Sequence, residues 1–167
     1  NEPAPVVNSA LESVRQAELD FARLAAEQGI RTAFLTWLAQ DARVFAPRMA
    51  SVQDRYGAEP GDPGDLVWFP EAMGIAASGD LAWSHGPWTY APKKGDAILV
   101  HGHFLSVWAR QGQGTWKVLA DIGVSHPAPA QPIALFTPAV AAPLQPAGSR
   151  TGGTLAQLRD KEAQLAK

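Results

Sequence analysis

Apolar positions recur at helical spacing early in the chain and at strand spacing later. Leu11, Val14, Phe21, Leu24 and Ala25 fall on one stripe, which predicts an amphipathic helix over residues 8–28. Ser9, with Glu12 three residues on, has the form of a capping box, and Gly29 supplies a stop. Ile30, Ala33, Phe34, Trp37 and Leu38 share a face of a second, shorter helix, so helix is expected over residues 9–40 with an elbow at Gly29. Ala42 to Pro47 reads as a short strand. Gly57, Pro60, Gly61, Pro63 and Gly64 then make residues 48–65 a loop, kept wet by Asp62 and Asp65.

From Leu66 onward the pattern is that of strands. Residues 66–77 form one candidate, interrupted by Pro70, which points to an edge or a bulge. Ser78-Gly79-Asp80 is a tight turn, and residues 81–90 return antiparallel with a bend at Gly86-Pro87. Residues 97–110 make a long strand, Gln111 to Gly114 a hairpin loop and residues 115–124 the last strand. Helices first and hairpin-linked strands after is an α+β pattern. Beyond it, Pro127, Pro129, Pro132, Pro138, Pro143 and Pro146 exclude a helix or a central strand. Ile133 to Phe136 are apolar enough to dock on the domain, and Gly148 to Gly153 read as a flexible linker. Leu155 to Glu162 echoes Leu11 to Glu18, with Leu, Arg and Glu in register. The expected organisation is a lead-in over 1–8, an α+β domain over 9–126, a Pro-rich tail or linker over 127–153, and a helix over 154–167. That last helix suits the start of a second repeat.

Composition narrows the partners. The chain has 167 residues, 46% of them hydrophobic and 18% charged, which fits one domain with a real core. Its net charge of -2 gives no basic surplus, so nucleic acid and an anionic membrane are not expected partners. No apolar run reaches the roughly 18 residues of a spanning helix, so membrane insertion is not expected. With no cysteine, disulfide scaffolds, thiol nucleophiles and cysteine-zinc sites are all absent. The opening Asn1-Glu2-Pro3-Ala4-Pro5 is a polar, Pro-containing lead-in of the kind left after signal-peptide removal, which gives an expectation of a periplasmic or secreted protein.

Several blocks recur in a telling order. They are the first helix, Phe34-Leu35 through Asp41-Ala42-Arg43-Val44-Phe45-Ala46-Pro47, then Ser78-Gly79-Asp80-Leu81-Ala82-Trp83 and Gly86-x-Trp88. Gly102-x-Phe104-Leu105-x-Val107-Trp108 and Gly114-x-Trp116-Lys117-Val118-Leu119-x-Asp121-Ile122-Gly123 complete the set. Together they resemble the nuclear transport factor 2-like superfamily, and within it the SnoaL-like branch of bacterial domains, over about residues 9–125. The resemblance implies a cone: N-terminal helices packed in a strongly bent antiparallel sheet, with a pocket at the wide end. It includes isomerases, cyclases, dehydratases and domains without chemistry, so the fold alone assigns no activity. The short third helix usual after the first strand is not visible between Met49 and Asp65.

Strand parity places the candidate chemistry. Setting Trp108 opposite Trp116 pairs Phe104 with Ala120 and His103 with Asp121. One face then carries Phe104, Trp108, Trp116, Val118, Ala120 and Ile122, and is expected to pack on the helices. The other carries His101, His103, Leu105, Val107, Lys117, Leu119 and Asp121. His103 beside Asp121 is a candidate acid–base pair, with Tyr90 a candidate donor to a substrate oxygen. The competing reading, and the one favoured here, is a partly buried cross-strand contact without catalytic work. His101 and His103 lie about 7 Å apart on one face, within reach of a metal ion with Asp121 as third ligand. No fixed third and fourth ligand accompanies them, so neither a metal nor a cofactor is expected. Trp37, Trp108 and Trp116 read as core, whereas Trp68 and Trp88, which flank expected bends, and Trp83 are candidate pocket lining. His85, Tyr90, Leu105 and Leu119 complete the candidate pocket set. No G-x-S-x-G, H-E-x-x-H or phosphate-binding loop is present. The expectation is an exported bacterial domain that binds a small apolar molecule or a protein partner, such as a second copy or a second repeat, without catalysis. The alternative is an isomerase or cyclase using the His–Asp pair.

Overall fold

Proline opens the first element. In this computed structural model, which describes residues 5–45, 47–129 and 139–140, helix α1 spans Pro5–Gln28. Proline is pre-organised for a first helical turn, so the helix starts before Ser9, which lies inside it and does not cap it. Gly29, at φ 87, ends α1 and caps α2 (Ile30–Trp37). Its N–H donates to the Ala25 carbonyl at 2.9 Å, and its own carbonyl accepts from Ala33 N–H at 3.2 Å. Helix α2 stops at Trp37, three residues short of expectation. Leu38 is extended there and opens strand β1 (Leu38–Phe45), buried and paired with Val118. Sheet pairing and burial of Leu38 outweigh one more position on the helical stripe.

Strand β2 (Met49–Ser51) folds back on β1 and leads into α3 (Val52–Tyr56), where a loop was expected. The Ser51 hydroxyl accepts from Asp54 N–H at 3.1 Å and caps this short helix. Strands β3 (Asp65–Trp68) and β4 (Ala72–Ile75) are split at Pro70 and both pair with β5 (Leu81–Ala91). The sequence marks a bend at Gly86-Pro87, and β5 passes through these residues as one uninterrupted strand. Glycine is needed at 86 because a Cβ there would overlap the Phe69 carbonyl oxygen where the β3–β4 jog presses on β5. Strand β6 (Val100–Arg110), a single 3-10 turn over Gly112–Gly114, and β7 (Trp116–His126) follow. Strand β8 (Ala139–Val140) lies parallel on β4. The sheet order is β2-β1-β7-β6-β5-β4-β8, antiparallel through its centre and parallel where β1 meets β7. No described helix is long and apolar enough to cross a membrane. The expected linker and second-repeat helix lie outside the described residues, apart from residues 127–129 and 139–140.

The register of the last hairpin corrects the sequence reading. Trp108 stands opposite Val118, and Arg110 opposite Trp116. One extra residue then enters β7, so that Val107 faces Ala120, Ser106 faces Asp121 and His103 faces Val124. A bulge of this kind flips every later side chain to the other face. Asp121 therefore turns into the concave side with Phe104 and Ser106, and Ile122 turns out. His103 and Asp121 are on opposite faces and do not meet.

The concave face closes on the helices. Phe21 of α1 sits at the centre, edge-on to Phe34 at 4.9 Å and Trp68 at 4.8 Å. Trp108 is fully buried behind it, and Val14, Trp116 and Val118 fill the closed end. Gly29 carries the whole turn between α1 and α2, and nothing lies within 4 Å of where its Cβ would be. Gly29→Ala should therefore lower stability by about 1 kcal/mol through backbone strain alone. Urea denaturation reads the change, and equal stability would contradict it.

Candidate functional site

A cavity of about 290 Å³ opens between the helices and the concave side of the sheet. Phe21, Ile30 and Phe34 line it from the helices, and Leu66, Trp68, Trp88, Val100 and Phe104 from the strands. Its polar lining is Arg55, Tyr56, Asp62, Tyr90, Ser106 and Asp121. Of the residues singled out in the sequence, Trp68, Trp88, Tyr90 and Asp121 come together here. Trp83, His85, His103, Leu105 and Leu119 do not. The reason is parity: in β5 and β6 the even-numbered residues face inward and the odd-numbered outward. Leu119 sits in the β7 bulge.

Asp121 is the deep carboxyl. Ser106 donates to its Oδ1 at 2.8 Å. Removal from water pushes its pKa up from 3.8 to about 6, against the opposing pull of that hydrogen bond. It is half-buried, with its accessible side toward the cavity. Tyr56, from the short α3 helix, packs on Phe34 at 4.4 Å with the Arg55 guanidinium 5.1 Å above its ring. Burial, reinforced by the charge of Asp121, raises its phenol pKa and keeps it a neutral donor. At the rim, Tyr90 donates to Asp62 at 2.9 Å, which also accepts from Gly64 N–H at 2.8 Å. That hydrogen bond raises the Tyr90 pKa.

Behind the wall lies a second carboxyl that the sequence reading passed over. Glu18 of α1 is fully buried. Its Oε1 accepts from the Trp68 indole N–H at 2.7 Å. Its Oε2 accepts from Ser84 at 2.5 Å and from the Trp108 indole at 3.2 Å. Burial raises its pKa from 4.5 to about 7, helped by the charge of Asp121, while the three donors pull the other way. The available signal was its position, four residues after Val14 and three before Phe21, a charge on an apolar stripe.

All four histidines lie on the outer face. His103 Nδ1 is 2.8 Å from His126 Nε2. His101 stands opposite His126, and His85 stacks flat on Trp83 at 5.9 Å. His85, His103, Leu105, Ile122 and Val124 line a shallow groove there. Among the described residues no three His or carboxylate side chains converge as metal ligands.

No protein-family model matches the chain, and no curated protein matches it. Solved structures do. A conserved protein from Planctomyces limnophilus matches with TM-score 0.56 and 15% identity over 71% of this chain and 99% of its own. An NTF2-like protein with a cystatin-like fold from Novosphingobium aromaticivorans matches with TM-score 0.54 and 12% identity, over 73% and 85%. A ketosteroid isomerase-like protein from Erwinia carotovora atroseptica matches with TM-score 0.56 and 14% identity, over 73% and 99%. At these identities the likeness is one of fold.

Glu18 and Asp121 both hold protons more tightly in the folded protein than in the unfolded chain. Their contribution to stability is complete below pH 4.5 and 3.8 respectively, and is lost as pH rises through about 7 and about 6. Stability should therefore fall between about pH 4 and pH 7, with Glu18 contributing on the order of 3 kcal/mol to the change. Glu18→Gln should flatten most of it. Urea unfolding across that range is the measurement, and stability rising with pH would contradict the assignment.

Proposed function

We propose that this chain, which has the nuclear transport factor 2-like fold, binds a small, largely apolar molecule carrying one polar group, inside the cone. The cavity carries this reading. Its walls are aromatic and aliphatic, and its one deep carboxyl, Asp121, is held by Ser106 with room left for a ligand contact. The rim carboxyl, Asp62, is already engaged by Tyr90 and Gly64. A flat bicyclic molecule such as 2-naphthol suits the volume and offers a hydroxyl to Asp121. Saturable binding of 2-naphthol should quench tryptophan fluorescence, and Asp121→Leu should weaken it about tenfold, the worth of one hydrogen bond to a charged group. Binding that is unsaturable, or unchanged in Asp121→Leu, would count against the reading.

One observation favours a second reading, in which the bound molecule also reacts. Asp121, raised to about 6, shares the cavity with Tyr56, whose phenol stays neutral. A base and a donor in an apolar cavity are the two groups that proton abstraction beside a carbonyl requires. The proton would pass from the substrate carbon to the Asp121 carboxylate and return to carbon, while Tyr56 holds the enolate oxygen. The name of the Erwinia relative points to the same class of chemistry. His103 has no part in this version, since it faces outward. Deuterium incorporation into 2-tetralone in heavy water, followed by NMR, should exceed the buffer rate and fall at least about 100-fold in Asp121→Asn. Exchange at the buffer rate would leave binding as the function.

A further inference from the structure

The side chains behind Asp121 form two hydrogen-bonded pairs set side by side in an otherwise apolar core. Ser106, which donates to Asp121, stands directly opposite Ser84 on the neighbouring strand. Facing Cβ atoms of such a pair lie ~5 Å apart. Both serines are buried, and Ser84 donates to Glu18. The Trp108 indole N–H reaches Ser84 at 3.0 Å and Glu18 at 3.2 Å, tying the two together. Asp121, Ser106, Ser84 and Glu18 thus connect the cavity to the middle of α1. At the other oxygen of Glu18 hangs Trp68, itself a cavity wall. Apolar side chains of similar volume would hold a core together without desolvating two carboxyls.

We propose that Glu18 is a positioning residue for the cavity: it anchors the Trp68 wall and, across Ser84 and Ser106, shares a single negative charge with Asp121. Glu18 is fully buried and Asp121 half-buried, so little water screens one carboxylate from the other, and ionising one favours the proton on the other. At Glu18 burial, which favours the acid, outweighs three donors, which favour the anion. The remaining charged and titratable groups facing Asp121 are Arg55 and Tyr56 from α3, Asp62 from the following loop and Tyr90 from β5. Arg55 lies over the Tyr56 ring, and Asp62 is bonded to Tyr90. Among the described residues, the groups hydrogen-bonded to the Glu18 carboxyl are two indoles and a hydroxyl. A ligand that donates a hydroxyl to Asp121 fixes the charge there and keeps the proton on Glu18. One that presents an acceptor needs Asp121 protonated and frees Glu18 to ionise. This ligand linkage rests on the binding function proposed above, whereas the charge sharing does not.

Carboxyl carbon NMR titration of the ligand-free chain tests the charge sharing. In the wild type, both signals should move in two steps between about pH 5 and pH 8. In Asp121→Asn, Glu18 should titrate at lower pH by about half a unit or more, and in Glu18→Gln, Asp121 should titrate in one step. Asp121→Asn sits at the cavity surface and carries the test if Glu18→Gln does not fold. A Glu18 titration unchanged in Asp121→Asn overturns the proposal. Calorimetry of 2-naphthol binding near pH 7, in two buffers of different ionisation enthalpy, tests the linkage. Proton uptake in the wild type that disappears in Glu18→Gln supports it, and equal uptake in both overturns it. Failure of 2-naphthol to bind the wild type overturns the binding function and the linkage with it, while the ligand-free titration still decides the charge sharing.

Discussion

Glu18 holds helix α1 to three strands at one point. Its two oxygens take donors from β3, β5 and β6, through Trp68, Ser84 and Trp108. Burying a carboxyl costs several kcal/mol unless such partners are present, so the contact is only tolerable in one rotation of the helix about its axis. A leucine at this position would satisfy the apolar stripe and let the helix settle in several rotations. With Glu18 fixed, Phe21 one turn on is fixed as well, and it is Phe21 that packs edge-on to Phe34 and Trp68. The wall of the cavity therefore inherits its position from a hydrogen-bonded carboxyl beneath it.

The second constraint is the extra residue in β7. Without it, the side chains beyond Val118 would keep their alternation, and Ile122 would point into the cone. The bulge exchanges that apolar group for Asp121 and, two residues later, sets Gly123 into the cavity lining. Strand β1 is irregular at the same level, where its pairing with β7 jumps from Leu38–Val118 to Arg43–Ala120. The sheet thus bends there across two adjacent strands. The one-residue insertion in β7 is what places a carboxyl in the cavity wall.

These two features explain why the fold was legible in the sequence and the site only partly so. Alternation, the break at Pro70 and the turn at Ser78-Gly79-Asp80 each report a local backbone preference, and each element they predicted formed. Registration between strands is not local. Aromatic pairing favours Trp108 opposite Trp116, but the bulge at Leu119 has no signature in Val118-Leu119-Ala120, which reads as ordinary strand. Parity without the bulge puts Asp121 on the face of His103, and the bulge puts it on the other. The third helix failed for a different reason. Ser51 and Asp54 did hold its capping signal, and the run of Gly and Pro after it drew the whole segment into a loop. Glu18 was readable as a charge on an apolar stripe, but no sequence rule says which strands would supply its donors.

The separation of the two faces changes how any titration of this protein should be interpreted. Histidine is the usual suspect for events between pH 5 and pH 8. Here every histidine is on the outer side of the sheet, while the carboxyls of Glu18 and Asp121, raised to about 7 and about 6, are on the inner side. The outer His103–His126 contact, 2.8 Å between ring nitrogens, lies across the sheet from the cavity. Acidification neutralises charge on the inner side, at Glu18 and Asp121. A pH-dependent change in the cavity therefore belongs to the carboxyls. The one sheet keeps carboxyls and histidines apart because alternate residues of each strand face opposite ways.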